Sequence, residues 1–265
     1  MSGILSAFLG RGGAADNRLW TWGNNAYGQL GLSNVAYYSS PKQVGALTTW
    51  SAIAGGYHHT IATKTDGTLW TWGRNNYGQL GLSNITLYSS PKQVGALTTW
   101  LAIASGFYHT IATKTDGTLW TWGRNNFGQL GLSNITNYSS PKQVGALTTW
   151  SAIAGGYHHI VATKTDGTLW TWGYNAFGQL GLSNITNYSS PKQVGALTTW
   201  SAIASVYHHT IATKTDGTLW TWGNNAQGQL GLSNTTYYSS PKQVGALTTW
   251  SAIASGGFHT IARSS

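Results

Sequence analysis

Tryptophan occupies every second position along Leu69-Trp70-Thr71-Trp72. This period of two predicts a strand with Trp70 and Trp72 on one face and Leu69 and Thr71 on the other. His58 to Lys64 has the same strand character, and Thr65-Asp66-Gly67 between the two stretches predicts a tight turn, Asp-Gly being suited to positive φ. A long Gly-rich connection, Gly73 to Ser90, then leads past Pro91 to a short third strand around Lys92 to Val94. Proline lacks an N–H and suits the mouth of a strand. Gly95-Ala96-Leu97 turns the chain into a fourth strand, Thr98 to Ala104, and Ser105-Gly106 hands it on.

The pattern then starts again. Leu-Trp-Thr-Trp-Gly begins at Leu19, Leu69, Leu119, Leu169 and Leu219, a spacing of 50 residues without insertion. Four short strands cannot cover both faces of their own sheet, so neighbouring copies must pack face to face, and radial stacking of such sheets gives a propeller. The expectation is an all-β, five-bladed β-propeller of four-stranded antiparallel blades over residues 14–265, with 1–13 as a tail. The first Leu-Trp-Thr-Trp-Gly has no hairpin partner before it, and Phe258 to Arg263 stops where its turn should follow. Pairing Leu19–Gly23 with Phe258–Arg263 would complete one blade from both ends of the chain and close the ring.

Composition agrees with strands and turns. Of 265 residues 13% are aromatic and only 7% charged, Glu is absent, and Met occurs once, at Met1. No cysteine is present, which excludes disulfides, thiolate chemistry and Cys-based metal sites. No stretch approaches the roughly 18 apolar residues of a membrane span. The apolar Ile4-Leu5-Ser6-Ala7-Phe8-Leu9 lacks a basic leader, and docking of residues 1–13 to a larger assembly is its expected use. With neither signal peptide nor span recognised, a cytoplasmic or virion-associated setting is the expectation for location.

The net charge of +9 raises nucleic acid as a partner. Its distribution argues against that: nine lysines occupy two repeated sites, Lys42, Lys92, Lys142, Lys192 and Lys242, and Lys64, Lys114, Lys164 and Lys214, and so form dispersed rings.

The run Trp72-Gly73-Arg74-Asn75-Asn76-Tyr77-Gly78-Gln79-Leu80-Gly81, with Pro91, Val94, His109-Thr110-Ile111-Ala112 and Asp116-Gly117, resembles the regulator-of-chromosome-condensation repeat, and does so in every unit. The resemblance implies four-stranded blades that present loops to protein partners. Members of that family usually have seven blades and far less similar repeats, so no partner-binding residues carry over. Near identity among the copies implies recent duplication or a consensus design.

An enzyme needs groups that transfer protons, attack or bind metal. The only carboxylates are Asp16, Asp66, Asp116, Asp166 and Asp216, read as turn residues a blade apart. His59, His109, His159, His209 and His259 recur at one position and would form a ring too wide for the roughly 2 Å bonds of a zinc site, so a structural role is expected. The glycines lack the Gly-Lys-Ser/Thr ending of a phosphate loop. No catalytic residue, metal or cofactor is expected, and the sequence reads as a non-enzymatic binding protein.

The differences among the copies locate the expected binding face. They gather at Asn24, Arg74, Arg124, Tyr174 and Asn224; at Tyr27, Tyr77, Phe127, Phe177 and Gln227; at Tyr37, Leu87, Asn137, Asn187 and Tyr237; and around Tyr57-His58, Phe107-Tyr108, Tyr157-His158 and Tyr207-His208. Strand direction puts all of these on one loop-rich face, opposite the near-invariant turns, and Tyr and Arg are frequent among residues that dominate interfaces. A protein partner is the first reading. A glycan bound once per blade, as on a receptor-binding part of a virion, and a ligand-free engineered scaffold are the alternatives.

Overall fold

A computed structural model describes residues 17–265, all-β with no helix among them. The N-terminal tail expected over 1–13 lies outside the described residues. The chain opens with β1 (Trp20–Gly23) and β2 (Tyr38–Gln43), followed by β3 (Trp50–Gly55), β4 (His59–Lys64), β5 (Leu69–Gly73) and β6 (Tyr88–Gln93). The next two blades are β7 (Trp100–Ser105), β8 (His109–Lys114), β9 (Leu119–Gly123) and β10 (Tyr138–Gln143), then β11 (Trp150–Gly155), β12 (His159–Lys164), β13 (Leu169–Gly173) and β14 (Tyr188–Gln193). Last come β15 (Trp200–Ser205), β16 (His209–Lys214), β17 (Leu219–Gly223) and β18 (Tyr238–Gln243), with β19 (Trp250–Ser255) and β20 (Thr260–Ser264).

Each complete blade is an antiparallel meander in the order β3-β4-β5-β6, and β19-β20 and β1-β2 supply the inner and outer halves of the fifth. The blade therefore starts at Trp50, one strand earlier than the four-strand unit read from the sequence. The expected fourth strand is the innermost strand of the following blade. A second correction concerns the third strand, which begins at Tyr88 and carries Pro91 in its interior. This is tolerated because β6 is the outer edge strand and its register with β5 breaks between Gly73↔Tyr88 and Thr71↔Lys92, leaving Pro91 with no ladder bond to donate.

Both faces of the middle strands are buried between blades. Leu69 and Val94 of one blade pack with Trp100, Ala112 and Trp122 of the next. Trp122 is fully buried, and its indole N–H donates to the Gln79 carbonyl across the junction at 3.0 Å. The same bond recurs from Trp72 to Gln29 at 2.9 Å, from Trp172 to Gln129 at 3.1 Å and from Trp222 to Gln179 at 2.9 Å. A backbone bond, Ser83 N–H to the Ser139 carbonyl at 2.7 Å, ties the β5–β6 loop to the outer strand β10 of the next blade. The innermost strands surround a central cavity of about 50 Å³ bordered by Ile53, Ala104, Gly155, Ala204 and Ile253.

The expected pairing of Leu19–Gly23 with Phe258–Arg263 is not formed in the structure: β1 pairs with β2 and β20 with β19. Trp22, Phe258 and Ile261 are consequently more than half exposed, at 59%, 54% and 59%.

Candidate functional site

The β3–β4 and β5–β6 loops meet because the Arg74 N–H donates to the His58 carbonyl at 2.8 Å. The bond recurs from Arg124 to Tyr108, Tyr174 to His158 and Asn224 to His208. One loop-rich face therefore carries the variable positions, while the Asp-Gly turns close the opposite end of each blade. There Asp116 Oδ1 accepts from the Thr118 N–H at 2.9 Å and the Thr118 hydroxyl at 2.6 Å, and these bonds hold its carboxyl below the ordinary range. The lysine of that turn, Lys114, lies 3.7 Å from the Trp120 ring centroid, a cation–π contact repeated in each complete blade.

On the loop face variable positions from neighbouring blades converge at the junctions, three at each of the first three and two at the fourth. Tyr27 packs on His58 at 4.5 Å between ring centroids, with the Arg74 guanidinium 4.9 Å from the Tyr27 ring. Tyr77 packs on Tyr108 at 5.4 Å with Arg124 at 5.0 Å from the Tyr77 ring. Phe127 contacts His158 at 5.0 Å and Tyr174 at 4.8 Å, and Phe177 contacts His208 at 4.8 Å. Inside these clusters a row of rings lies at one end of the central cavity. Tyr57 stacks on Phe107 at 4.6 Å, Phe107 meets Tyr157 at 4.2 Å, and the row continues through Tyr207 to Phe258 at 5.1 and 4.8 Å. Phe107 also reaches across to Tyr207 at 5.6 Å.

Three of the expected residues stay outside these clusters. Asn24 Oδ1 accepts from Gln29 Nε2 at 2.8 Å and Asn224 Oδ1 from Gln229 Nε2 at 2.9 Å, so both asparagines fasten their own loop. Gln227 borders a groove of about 340 Å³ beside the C-terminal half-blade. Tyr237 joins the face through Phe177 at 5.6 Å; its membership depends on a contact between distant loops that one copy's sequence does not reveal.

Three of the repeated histidines bridge blades, while both ring nitrogens of His109 are buried without a hydrogen-bond partner. His59 Nε2 lies 3.1 Å from Thr110 Oγ1, His159 Nε2 2.9 Å from Ser205 Oγ, and His209 Nε2 3.2 Å from Thr260 Oγ1. Burial lowers the His59 and His109 pKa values to about 3 and that of His209 to about 4. On the loop face burial likewise brings His158 to about 3 and His208 to about 4, and lowers His58, beside Arg74, as well. Neutral imidazoles at neutral pH follow. Among the described residues no group of three or more His, Asp or Glu side chains is placed to hold a metal ion, and no helix is long and apolar enough to cross a membrane.

Antiparallel four-stranded blades, an inter-blade tryptophan in each complete one and a shared central cavity define a β-propeller built from tandem repeats. The regulator of chromosome condensation (RCC1) repeat model matches residues 16–63, 66–113, 116–163, 166–213 and 216–263, and a second RCC1 repeat model matches 50–79, 100–129, 150–179 and 200–229. The chain belongs to the RCC1 repeat family. No curated protein sequence matches it significantly. Among solved structures it is similar to human WBSCR16, with a TM-score of 0.82 and 23% identity over 93% of this chain and 67% of that one. It is also similar to yeast RCC1 (Prp20) solved with Kap60, with a TM-score of 0.80 and 21% identity over 93% and 62% of the two chains. Prp20p from Saccharomyces cerevisiae, described with its binding to Gsp1p and histones, gives 0.78 and 21% over 93% and 64%. The chain thus spans about two thirds of the length of these proteins, and at such identities the likeness establishes the fold.

Proposed function

We propose that this chain is a non-enzymatic binding protein that presents its loop-rich face to a protein partner. The observation that carries this reading is the contrast between a near-constant frame and the positions that vary. Those that vary converge, across blade junctions, on one continuous surface of Tyr, Phe, His and Arg around one end of the central cavity. Large rigid aromatics and arginine supply contact area at low entropic cost, as interface anchors do. Similar propellers support a protein partner, since Prp20 binds Kap60, Gsp1p and histones.

The clusters differ from one junction to the next: Tyr–His–Arg, Tyr–Tyr–Arg, Phe–His–Tyr and Phe–His. A glycan site repeated once per blade would need equal clusters, so one composite surface suits this face better. A photocrosslinking residue at position 57 should capture a partner that the same residue at position 96, on the opposite end of the blades, does not. Equal capture from both positions would sink the reading.

A further inference from the structure

We propose that the partner engages this face through an acidic polypeptide segment held by Arg74 and Arg124, an inference that rests on the protein-binding reading above. Both guanidiniums lie beside one ring, 5.5 and 5.7 Å from the Tyr108 centroid, and each also faces a second tyrosine. Each Nε is buried without a hydrogen-bond partner. The four described carboxylate side chains, Asp66, Asp116, Asp166 and Asp216, all sit in the turns at the far end of the blades. The histidines next to the arginines, His58 and His158, are held toward the neutral form by burial. Burial also raises the Tyr108 hydroxyl pKa, keeping it a proton donor. The face thus offers two fixed cations and hydroxyl donors on an aromatic bed, with no anion of its own, and complementarity calls for carboxylates.

A second observation points the same way. Where position 24 or 224 is Asn, it accepts from the glutamine five residues on, Gln29 or Gln229. Arginine at position 74 removes that acceptor, and Gln79 Nε2 is left buried without a partner. At the next blade Arg124 leaves Gln129 Nε2 only a 3.5 Å approach to His158. Tyr174 likewise leaves Gln179 Nε2 without a partner, so both arginines, like that tyrosine, stand on this aromatic face where asparagine would serve the fold better.

Two cations are few for a nucleic acid, since proteins that grip duplex DNA neutralise roughly 6–10 phosphates. They suit a short peptide with two carboxylates and an apolar side chain to set against Tyr57 and Phe107.

The test is an array of 15-residue peptides of acidic, neutral and basic composition, with the oligonucleotide dT15 alongside, probed with the whole chain. Arg74→Asn and Arg124→Asn restore the loop-fastening asparagine and so keep the fold. Each should weaken binding of acidic peptides about tenfold, the loss of one charged hydrogen-bonding group, while thermal stability stays equal or rises. Lys142→Gln, which removes the same charge elsewhere, should leave binding unchanged. Equal losses from Lys142→Gln and the arginine substitutions would overturn the proposal. Neutral peptides that bind and depend on Tyr57 and Tyr157 but not on the arginines would overturn it while leaving the protein-binding face intact. Arginine-dependent binding of dT15 in preference to every peptide would overturn it in favour of nucleic acid. Binding of no peptide would overturn the acidic-segment proposal and leave the protein-binding face to the crosslinking test, whereas binding indifferent to every substitution on the face would count against both readings.

Discussion

At the scale of single residues, the inter-blade junction turns on a tryptophan and the glycine it covers. Gly81 has φ +73°, a left-handed conformation, and a Cβ there would stand 2.7 Å from Trp122 Nε1. Gly81→Ala forces either the ring or the loop to move, and it should cost about 2–4 kcal/mol from combined overpacking and backbone strain. Trp122→Ala opens a cavity and removes one of the two bonds that the Gln79 carbonyl accepts, leaving only that from the Thr110 hydroxyl, a loss of about 3–5 kcal/mol. Equilibrium urea unfolding checks both, and a loss below about 1 kcal/mol for either would mean that the junction is looser than its geometry. The spacing of these glycines does not name the tryptophan they face, because that residue lies one repeat away. Asn24 and Asn224 illustrate the same limit. Variation among the copies marked them with the arginines, yet only the fold reveals that they fasten Gln29 and Gln229.

At the scale of strands, alternation and Asp-Gly turns made the β4–β5 hairpin legible nearly to the residue. The phase of the blade was not, because a tandem repeat reads the same from any starting strand. Hydrogen bonding of β3 to β4 decides it. Strands β4, β8, β12 and β16 also carry the buried histidines, and these set a pH dependence. Their folded pKa values lie below the ordinary 6.5, at about 3 for His59 and His109 and about 4 for His209. The unfolded chain therefore takes up protons first as pH falls below 6.5. The stability is fully present above pH 6.5 and declines toward the folded values near 3 to 4, by about 1.4 kcal/mol per pH unit for each such histidine. Urea midpoints measured at pH 7, 6, 5 and 4.5 should fall steeply, and His109→Gln should flatten the slope. A flat profile from pH 7 to 4.5 would refute the neutral buried ring.

At the scale of the whole molecule, the two half-blades are complementary in a way that the four regular junctions let one read atom by atom. In complete blades His59, Thr60, Ile61 and Ala62 pair with Gly73, Trp72, Thr71 and Trp70. The same register would set Thr260 opposite Trp22 and Ile261 opposite Thr21. The groove beside β20, bordered by Leu219, Gln229, Gly231 and Trp250, is where a tryptophan equivalent to Trp222 would lie. Gly228 and Gly231, which at other junctions crowd a serine and a tryptophan, have room here. In that register Trp22 would fill the groove, with its indole N–H toward the Gln229 carbonyl. Because β3 and β19 border the same cavity, the two ends share one neighbourhood, and tethering favours a partner in the same chain over a second copy. Unpaired edges with exposed Trp22 and Ile261 would otherwise invite aggregation. The absence of cysteine allows a direct measurement. Lys64 N–H bonds to the Thr68 carbonyl, so alternation makes 61 and 71 a non-hydrogen-bonded pair, the closer kind and the better placed for a disulfide. Thr21→Cys with Ile261→Cys, oxidised at low protein concentration, should give a monomeric cross-linked species with a raised melting temperature. Cross-linked dimers would place the completing half-blade on a second copy, and no cross-link at all would establish an open arc.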